Sequence, residues 1–295
     1  MELSRELLDW RARGRRVRTV EGEVFALDTG GPDAAAPLLV LHGFPTSSYD
    51  FHLALPHLVA TRRVVLHDHL GFGLSDKPAR FSYSLLAQAD VAIEVWRSLG
   101  ISRGHLLAHD YGTSVATELI ARRERGLLPI ELLSLTLSNG SVHLELARPR
   151  RIQWLLASRV GPLVARLSGR AIFRRNMKAI LGRPDAVSES ELQSLWEGLA
   201  HDEGRLRLPA IAGYLHERVR FRERWIPPLT RLDIPVHILW GRRDPIALPA
   251  VAEALAAEIP DARLTWLDDL GHYPMLEAPR RWADAVAEFV AALPA

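Results

Sequence analysis

The sequence predicts an α/β fold built around a doubly wound, mostly parallel β-sheet. Short apolar runs followed by turn residues recur along the chain, as is typical of buried parallel strands. They lie at 38–41, 64–66, 106–108, 132–137, 236–240 and 264–267. Between them are amphipathic stretches with helical spacing, at 84–99, 113–125, 249–258 and 279–293. This alternation of strand and helix is the pattern of an α/β sheet with helices on both faces.

The alternation stops in one internal segment of the chain. Strand-like runs are absent from 145–230, where helical patterns take over, for example at 189–199 and 208–220. We therefore predict a core formed by 1–144 and 231–295, with a helical cap inserted at 145–230. A chain of 295 residues is long enough for one large core with one such elaboration.

The predicted cap is basic. Residues 147–232 carry 17 basic and 8 acidic side chains, whereas the rest of the chain carries 20 and 27. A basic lid could bind an anionic substrate, nucleic acid or lipid head groups. Such arginines more often form a solvated face that pairs with acidic residues of the core. We adopt that interpretation and predict no nucleic-acid partner.

Composition limits the location of the protein and the kinds of site it can hold. No apolar run is long enough to span a bilayer, and 1–18 lack the features of a signal peptide. We therefore expect a cytoplasmic protein without stable membrane insertion. The absence of cysteine excludes disulfides and thiolate chemistry. In His67-Asp68-His69, neighbouring strand side chains point to opposite faces and cannot all converge on one ion, so we predict no metal site. We also predict no cofactor.

The strongest local motif is Ala108-His109-Asp110-Tyr111-Gly112, between a predicted strand and a predicted helix. Small residues two positions before and after a central polar residue are typical of a nucleophile elbow, a tight turn that holds the central side chain above the sheet. Here the central residue is Asp110. Ser114 already lies within the helix, where its hydroxyl is expected to bond locally, so we prefer Asp110 as nucleophile. An aspartate that only caps the helix is the alternative.

Three further segments support the catalytic interpretation. His42-Gly43-Phe44-Pro45 follows the strand at 38–41, Asp244 follows the strand at 236–240, and His272 follows the last strand. The chain order nucleophile, acid, histidine is that of α/β-hydrolases. The backbone N–H groups of Phe44 and Tyr111 could then form an oxyanion hole. Each piece also has a structural interpretation, since Asp244 could cap a helix, His272 could lie in a surface turn, and Phe44 could only pack.

An aspartate nucleophile restricts the reaction. Its carboxylate is ionised at neutral pH and needs no base, so His272 is free to activate water in a second step, oriented by Asp244. Attack on a saturated carbon gives an alkyl ester that water can cleave, whereas attack on a carboxylic ester would require an anhydride. The expected electrophiles are therefore epoxides and alkyl halides.

These residues resemble the epoxide hydrolase and haloalkane dehalogenase branch of the α/β-hydrolases, and within it the mesoderm-specific transcript proteins. The shared stretches are 42–50, 70–73, 75–78, 109–112, 138–140 and 188–192, with Tyr214, Arg218, Phe221, Arg224 and Trp225 in the cap. The resemblance implies the α/β-hydrolase fold, with eight strands and an inserted cap. Asn139 holds a place where some relatives keep the acid, which favours Asp244 in that role.

The resemblance also implies further site residues. Epoxide hydrolases protonate the ring oxygen with cap tyrosines, and Tyr214 is the only tyrosine of the predicted cap. The alternative is that Tyr214 only packs beneath the cap. A second donor has no clear counterpart, and Tyr111, His201 and His216 remain open for that role. Dehalogenases hold the halide with an asparagine and a tryptophan where this chain has Phe44 and Tyr111. The residues predicted to bind substrate are His42, Pro45, Trp154 and Trp196.

The first functional hypothesis is an epoxide hydrolase that acts on a small apolar epoxide and converts it to a vicinal diol. Haloalkane dehalogenase, and lipid or ester hydrolase or acyltransferase, are the enzymatic alternatives. A ligand receptor with a hydrolase fold is the non-enzymatic one, although an intact Asp110, Asp244 and His272 argues against it. A homodimer is compatible with the sequence.

Overall fold

The computed structural model describes residues 3–31, 35–60 and 62–293, which form one eight-stranded sheet flanked by helices. The strands, in chain order, are β1 Arg15–Arg18, β2 Glu23–Asp28, β3 Leu38–Leu41, β4 Val64–His67, β5 Arg103–His109, β6 Glu131–Ser138, β7 Val236–Gly241 and β8 Arg263–Leu267. Their order across the sheet is β1-β2-β4-β3-β5-β6-β7-β8. Only the β1–β2 and β2–β4 pairs are antiparallel. The predicted α/β-hydrolase architecture with a mostly parallel sheet is confirmed.

Helices cover both faces of the sheet. The α-helices are α1 Arg5–Arg13, α2 Leu55–Leu58, α3 Leu85–Ser98, α4 Tyr111–Glu124, α5 Arg151–Leu156, α6 Gly161–Leu167, α7 Arg170–Lys178, α8 Glu189–Ala200, α9 Leu208–Ile211, α10 Tyr214–Arg220, α11 Arg222–Trp225, α12 Pro249–Glu258, α13 Pro274–Glu277 and α14 Pro279–Ala291. Short 3₁₀ turns lie at Ser48–Phe51, Leu144–Leu146, Pro184–Ala186, His201–Arg207 and Leu229–Arg231. No helix in the described part of the chain is long and apolar enough to cross a membrane.

All six apolar runs of the sequence form parallel strands, but β1 and β2 were not predicted. Three of the four residues of β1 are exposed arginines, so this edge strand carries almost no hydrophobic signal. β2 begins at the exposed Glu23 and continues through Val24, Phe25, Ala26 and Leu27, all buried. These two strands lie in the N-terminal segment, whose first two residues fall outside the described part.

Between β6 and β7 the chain forms short α-helices, 3₁₀ turns and connecting loops, with no strand. The helix predicted at 189–199 is present as α8, and Ser188 closes a capping box with Glu191 at its start. The single helix predicted at 208–220 is wrong, because the structure has α9 and α10 with Ala212 and Gly213 between them. Glycine has a low helix propensity, which favours an interruption at this position.

The topology brings the candidate residues to one edge of the sheet. β5 lies at the centre, between β3 and β6, and β7 and β8 follow on the same side. These five strands run parallel, so their carboxyl ends meet at a single edge. The loops after β3, β5, β7 and β8 carry the residues that sequence reasoning selected. Their proximity is therefore a consequence of strand order.

Candidate active site

Asp110 occupies a strained turn between β5 and α4. Its backbone has φ of 45° and ψ of −110°, a region that residues with a side chain rarely adopt. The turn requires a small residue at Gly112, since a Cβ there would lie 2.5 Å from the carbonyl oxygen of Leu41. The local geometry is that of a nucleophile elbow, in which Asp110 is raised above the end of the sheet.

The loop after β3 lies against the Asp110 carboxylate. The backbone N–H of Phe44 donates a 2.8 Å hydrogen bond to Asp110 Oδ2. A Cβ on Gly43 would lie 2.8 Å from His109 Nδ1 and 2.9 Å from Asp110 Cβ, so glycine permits this close approach. Tyr273 holds the loop from the other side, because its hydroxyl donates to the Phe44 carbonyl at 3.1 Å. One of the two predicted oxyanion donors therefore already faces the carboxylate.

The second predicted donor is the backbone N–H of Tyr111. Tyr111 is the first residue of α4, so this N–H has no acceptor within its own helix. Its side chain is fully buried beside Phe72 and Tyr214, with ring centroids 5.4 and 5.2 Å away. The Tyr111 hydroxyl is buried, and no hydrogen-bond partner for it is found in the described part of the chain.

His272 lies between two carboxylates. Its Nδ1 is 2.7 Å from Asp244 Oδ2, and its Nε2 is 3.6 Å from Asp110 Oδ1. The bond at Nδ1 orients the ring so that Nε2 faces Asp110 and the space above it. All three side chains are nearly inaccessible to solvent, with 1–2% of each residue exposed.

Asp244 is itself fixed by several donors. Its Oδ1 accepts from the backbone N–H groups of Ile246 at 2.7 Å and Ala247 at 3.0 Å. Its Oδ2 accepts from Asn139 Nδ2 at 2.8 Å, in addition to the contact with His272. Asn139 has φ of 46° and also accepts from the Gly241 N–H through Oδ1. Asn139 therefore orients Asp244. The sequence indicated only that some relatives keep the acid at position 139.

The buried charges set the protonation states. Burial alone would raise the pKa of Asp110, but the hydrogen bond and charge of His272 outweigh it and lower the pKa to about 2. Burial would lower the pKa of His272, but Asp244 and Asp110 together raise it to about 10. At neutral pH the free site thus holds an ionised Asp110 beside a protonated His272. The ionised carboxylate is the form in which the predicted nucleophile could react.

Tyr214, in the segment predicted to form the cap, packs against residues on both loops beside Asp110, Phe44 and Tyr111. Only 1% of it is exposed, and its ring centroid is 5.9 Å from that of Phe44. Burial, aided by the negative Asp110, raises the pKa of the Tyr214 phenol above its usual range, so the hydroxyl is protonated at neutral pH. Its oxygen accepts a 3.0 Å hydrogen bond from Gln153 Nε2. The phenolic proton therefore remains available to another acceptor.

Sequence reasoning did not assign a role to Arg218. The residue is 5% exposed, and its guanidinium carbon lies 5.3 Å from the Tyr214 ring centroid. It donates to Ser141 Oγ at 2.6 Å and to Ser114 Oγ, and within the described residues it has no carboxylate partner. The hydroxyl of Ser114 was expected to bond locally, but it accepts a hydrogen bond from Arg218 instead. The four-residue spacing of Tyr214 and Arg218, which places both on one helix face, was the available signal.

A cavity of about 90 Å³ lies between the cap and the core. Phe44 and His272 form part of its wall, together with Pro45 and Trp196, two of the four residues predicted to bind substrate. The remaining wall is mostly apolar side chains from the cap. A molecule in this cavity would lie against the histidine and the oxyanion loop.

The other predicted substrate-binding residues lie elsewhere. His42 is buried behind the loop, where its Nε2 accepts from the His69 N–H at 3.0 Å, and burial lowers its pKa to about 4. Trp154 is 40% exposed and stands against His216 on the cap surface, 6.0 Å between ring centroids. His201 pairs with Asp202 outside the cavity wall. Of the three candidates for a second proton donor, only Tyr111 packs against Tyr214.

Buried histidines surround the site without forming a metal centre. His109 donates through Nε2 to the main-chain oxygen of His272 at 2.8 Å, and burial lowers its pKa to about 4. His109 therefore helps to fix the main chain at His272 while its own ring remains neutral. Across 3–31, 35–60 and 62–293, no three histidine, aspartate or glutamate side chains are placed so that they could hold a metal ion.

The chain is similar to known proteins over most of its length. A family model described as the alpha/beta hydrolase fold matches residues 36–279. LipZ of Mycobacterium tuberculosis is 42% identical, covering 94% of this chain and 95% of LipZ. The mesoderm-specific transcript homolog protein of Homo sapiens is 36% identical, covering 98% of this chain and 89% of that protein.

Among solved structures, the haloalkane dehalogenase DbeA from Bradyrhizobium elkani aligns with a TM-score of 0.81 and 22% identity. The alignment covers 94% of this chain and 97% of that one. At this identity the likeness shows the fold alone. The choice of reaction must therefore be argued from the site itself.

Proposed function

Because the chain belongs to the α/β-hydrolase fold family and is a hydrolase of that fold, we propose that it opens epoxides through a covalent ester on Asp110. One observation carries the proposal. An ionised carboxylate stands at the elbow with a backbone N–H on one oxygen and His272 beside the other. A protonated, buried phenol, Tyr214, packs against Phe44 and Tyr111, the two residues whose N–H groups are predicted to face this carboxylate.

In the first step Asp110 Oδ1 attacks a ring carbon of the epoxide. Oδ2 remains in the hydrogen bond with the Phe44 N–H, so Oδ1 is the oxygen free to form the new bond. The carbon–oxygen bond of the ring breaks, and the departing oxygen takes the proton of Tyr214. The product of this step is a hydroxyalkyl ester of Asp110. Tyr214 supplies general acid catalysis, which a strained ether requires in order to leave as an alcohol.

In the second step His272 acts as a base toward water. Esterification removes the negative charge of Asp110, which is one of the causes that raise the pKa of His272. The imidazole can then lose its proton, which returns to the Tyr214 phenolate through solvent. His272 next takes a proton from water, and the hydroxide attacks the Asp110 carbonyl carbon. The oxyanion develops on Oδ2, facing the N–H groups of Phe44 and Tyr111.

Collapse of this intermediate breaks the bond between the Asp110 carbonyl carbon and the alkyl oxygen. The departing alkoxide takes the proton of the new carboxylic acid, so the vicinal diol leaves, Asp110 is again a carboxylate and His272 is again protonated. Asp244 holds His272 in the required tautomer throughout, through the 2.7 Å contact at Nδ1. In this scheme every proton and electron pair is supplied by the protein, the epoxide or water. The reaction is therefore proposed to proceed without a cofactor.

A single turnover in heavy-oxygen water tests the proposal. With enzyme in excess over a terminal epoxide, water oxygen enters Asp110 when the ester is hydrolysed, so peptide mass spectrometry should find the label in the Asp110 peptide. In Asp110→Ala no product should form, and in His272→Gln the alkyl-enzyme should accumulate. Label found only in the diol, with none in the protein, would exclude the covalent route. Halide release from alkyl chlorides, with no epoxide opened, would assign a dehalogenase instead.

A further inference from the structure

The cavity next to His272 is mostly apolar. Its wall includes Ile152, Leu156, Ile172, Phe173, Met177 and Leu208. These side chains come from the helices of the cap and surround a space that an alkyl chain would fill. Burial of each methylene group away from water is favourable, so the wall favours an aliphatic substrate.

Two arginines interrupt this apolar wall. Arg150 and Arg205 both line the cavity and are half-buried. Arg150 Nη2 contacts only a neutral amide oxygen, that of Asn176, at 3.5 Å. Arg205 Nη1 donates to the main-chain oxygen of Arg166 at 2.8 Å. Among the described residues neither guanidinium has a carboxylate within ion-pair distance.

Other arginines of the cap do have such partners. Arg174 pairs with Glu189, and Arg224 pairs with Glu118 of the core. The interpretation that cap arginines pair with acidic residues therefore holds for some of them and not for the two in the cavity wall. A half-buried cation beside apolar surface loses hydration without gaining a partner, a cost that a bound anion would offset. The guanidinium group also matches carboxylate and phosphate geometry.

We propose that the substrate is amphipathic, with an aliphatic body in the cavity and an anionic group held by Arg150 and Arg205. The inference rests on the proposed function in one respect. It takes the reacting epoxide to lie on the aliphatic part of the substrate, near His272. The anionic group is a carboxylate or a phosphate, and both satisfy the same guanidinium chemistry. This substrate class differs from the small apolar epoxide that the sequence predicted, because it carries an anionic group.

A binding experiment tests the anionic group independently of turnover. Decanoate, decyl phosphate and decanol are titrated into the whole protein at neutral pH by calorimetry. The anions should bind at least about tenfold more tightly than decanol, since a charge-assisted pair adds at least that factor. The better of the two anions identifies the head group. Equal affinity for all three ligands would overturn the inference.

Variants tie the preference to these residues. Arg150→Gln with Arg205→Gln should abolish the preference for the anions, and Arg150→Lys with Arg205→Lys should retain part of it. Arg151→Gln is the matched control, because Arg151 is the exposed neighbour of Arg150 and does not line the cavity. Unfolding temperatures of the variants show that each one folds. A preference that survives the double Gln change, or that Arg151→Gln also removes, would contradict the assignment.

A turnover experiment separates this inference from the proposed function. The epoxide of undec-10-enoic acid is compared with that of its methyl ester. The acid should have the lower KM, and the double Gln variant should lose that difference. If neither epoxide is opened but decanoate still binds through the arginines, the proposed function fails and the anion site stands. If both are opened with equal KM, the anion site fails and the proposed function stands.

Discussion

The guanidinium of Arg218 lies over the ring of Tyr214, one helical turn away on α10 and 5.3 Å from the ring centroid. Burial lowers the pKa of this arginine, but its interactions with Tyr214, Asp110 and Tyr111 oppose that effect. The cation in turn lowers the pKa of the Tyr214 phenol, against the larger effect of burial. A buried charge without a carboxylate partner is costly, and in the mechanism that we propose its position beside the phenol would stabilise the phenolate left after proton transfer.

Removal of the Arg218 charge should slow ester formation. In Arg218→Met the phenolate loses its cation, and we expect single-turnover alkylation to fall by about 10²–10³, as for loss of one electrostatic contact to a developing charge. Hydrolysis of the preformed alkyl-enzyme should change less, because it does not require Tyr214 to ionise. Arg218→Lys should recover part of the rate. Arg220→Gln, an exposed arginine on the same helix, is the control. Equal slowing of both steps would indicate only a structural role.

Loss of the Tyr214 hydroxyl should affect epoxide opening specifically. Tyr214→Phe keeps the ring against Phe44 and Tyr111 but removes the proton donor, so the alkylation rate should fall by about 10²–10⁴. Rapid-quench measurement of alkyl-enzyme formation provides the check. Activated alkyl halides, whose leaving group needs no proton, should react with Asp110 at nearly the original rate. A Tyr214→Phe rate within twofold of the original on epoxides would show that another group is the acid.

Asn139 should act through Asp244. Asn139→Gly keeps a residue that tolerates the positive φ of this position but removes the amide that donates to Asp244 Oδ2. Misorientation of Asp244 and His272 should slow the hydrolytic step by about tenfold to a hundredfold, the cost of a small misplacement. The ester on Asp110 should then accumulate in the steady state, as detected by mass spectrometry. Slower alkylation without ester accumulation would refute this positioning role.

The Asp110–His272 pair should also make the stability of the folded protein depend on pH. The pKa of Asp110 in the folded protein is lowered from 3.8 to about 2. The contribution of Asp110 to folding stability is therefore fully present above pH 3.8 and is lost as the pH falls through 2. The folded pKa of His272 is raised from 6.5 to about 10, so its contribution is present below 6.5 and is lost as the pH rises through 10. The pair therefore stabilises most between these limits, from about pH 4 to 6.5.

Thermal unfolding across pH measures this effect. The unfolding temperature of the unaltered protein should decline from pH 6.5 to pH 10, and in His272→Gln the decline should be shallower because the titrating group is gone. Asp110→Asn should leave the onset near pH 6.5 and make the decline end at a lower pH, since it removes one of the two charges that raise the pKa of folded His272. Identical profiles for all three proteins would show that the pair contributes nothing measurable to folding.

Local patterns in the sequence predicted the elements that matter for the site. The runs that became β3, β4, β5, β6 and β7 are apolar because both faces of a central parallel strand are covered. The run that became β8 lies at the edge of the sheet and is only partly buried. The strained turn at Asp110 requires small residues two positions before and after it, a pattern that can be recognised in the five residues 108–112. The edge strand β1, exposed and rich in arginine, has no such pattern and was missed.

The cap is where sequence reasoning was weakest. Trp154 and Trp196 are equivalent as sequence features, yet one lies on the surface and the other in the cavity wall. The short cap helices meet at angles set by packing, so which face of each helix looks inward cannot be read from hydrophobicity alone. His42 was assigned to substrate for its position in a motif, and its buried place behind the loop became evident only from its bond to His69.

The sequence by itself determined the fold, the candidate nucleophile and the order of its partners, because these depend on periodicity and on motifs a few residues long. The tertiary structure decided which charges are paired and which are left unpaired. Arg150 and Arg205 in the cavity wall, and Arg218 over Tyr214, differ from other cap arginines only in what the folded chain places beside them. The physical reason is that burial and ion pairing arise between residues distant in sequence, and their energies are set by the three-dimensional surroundings.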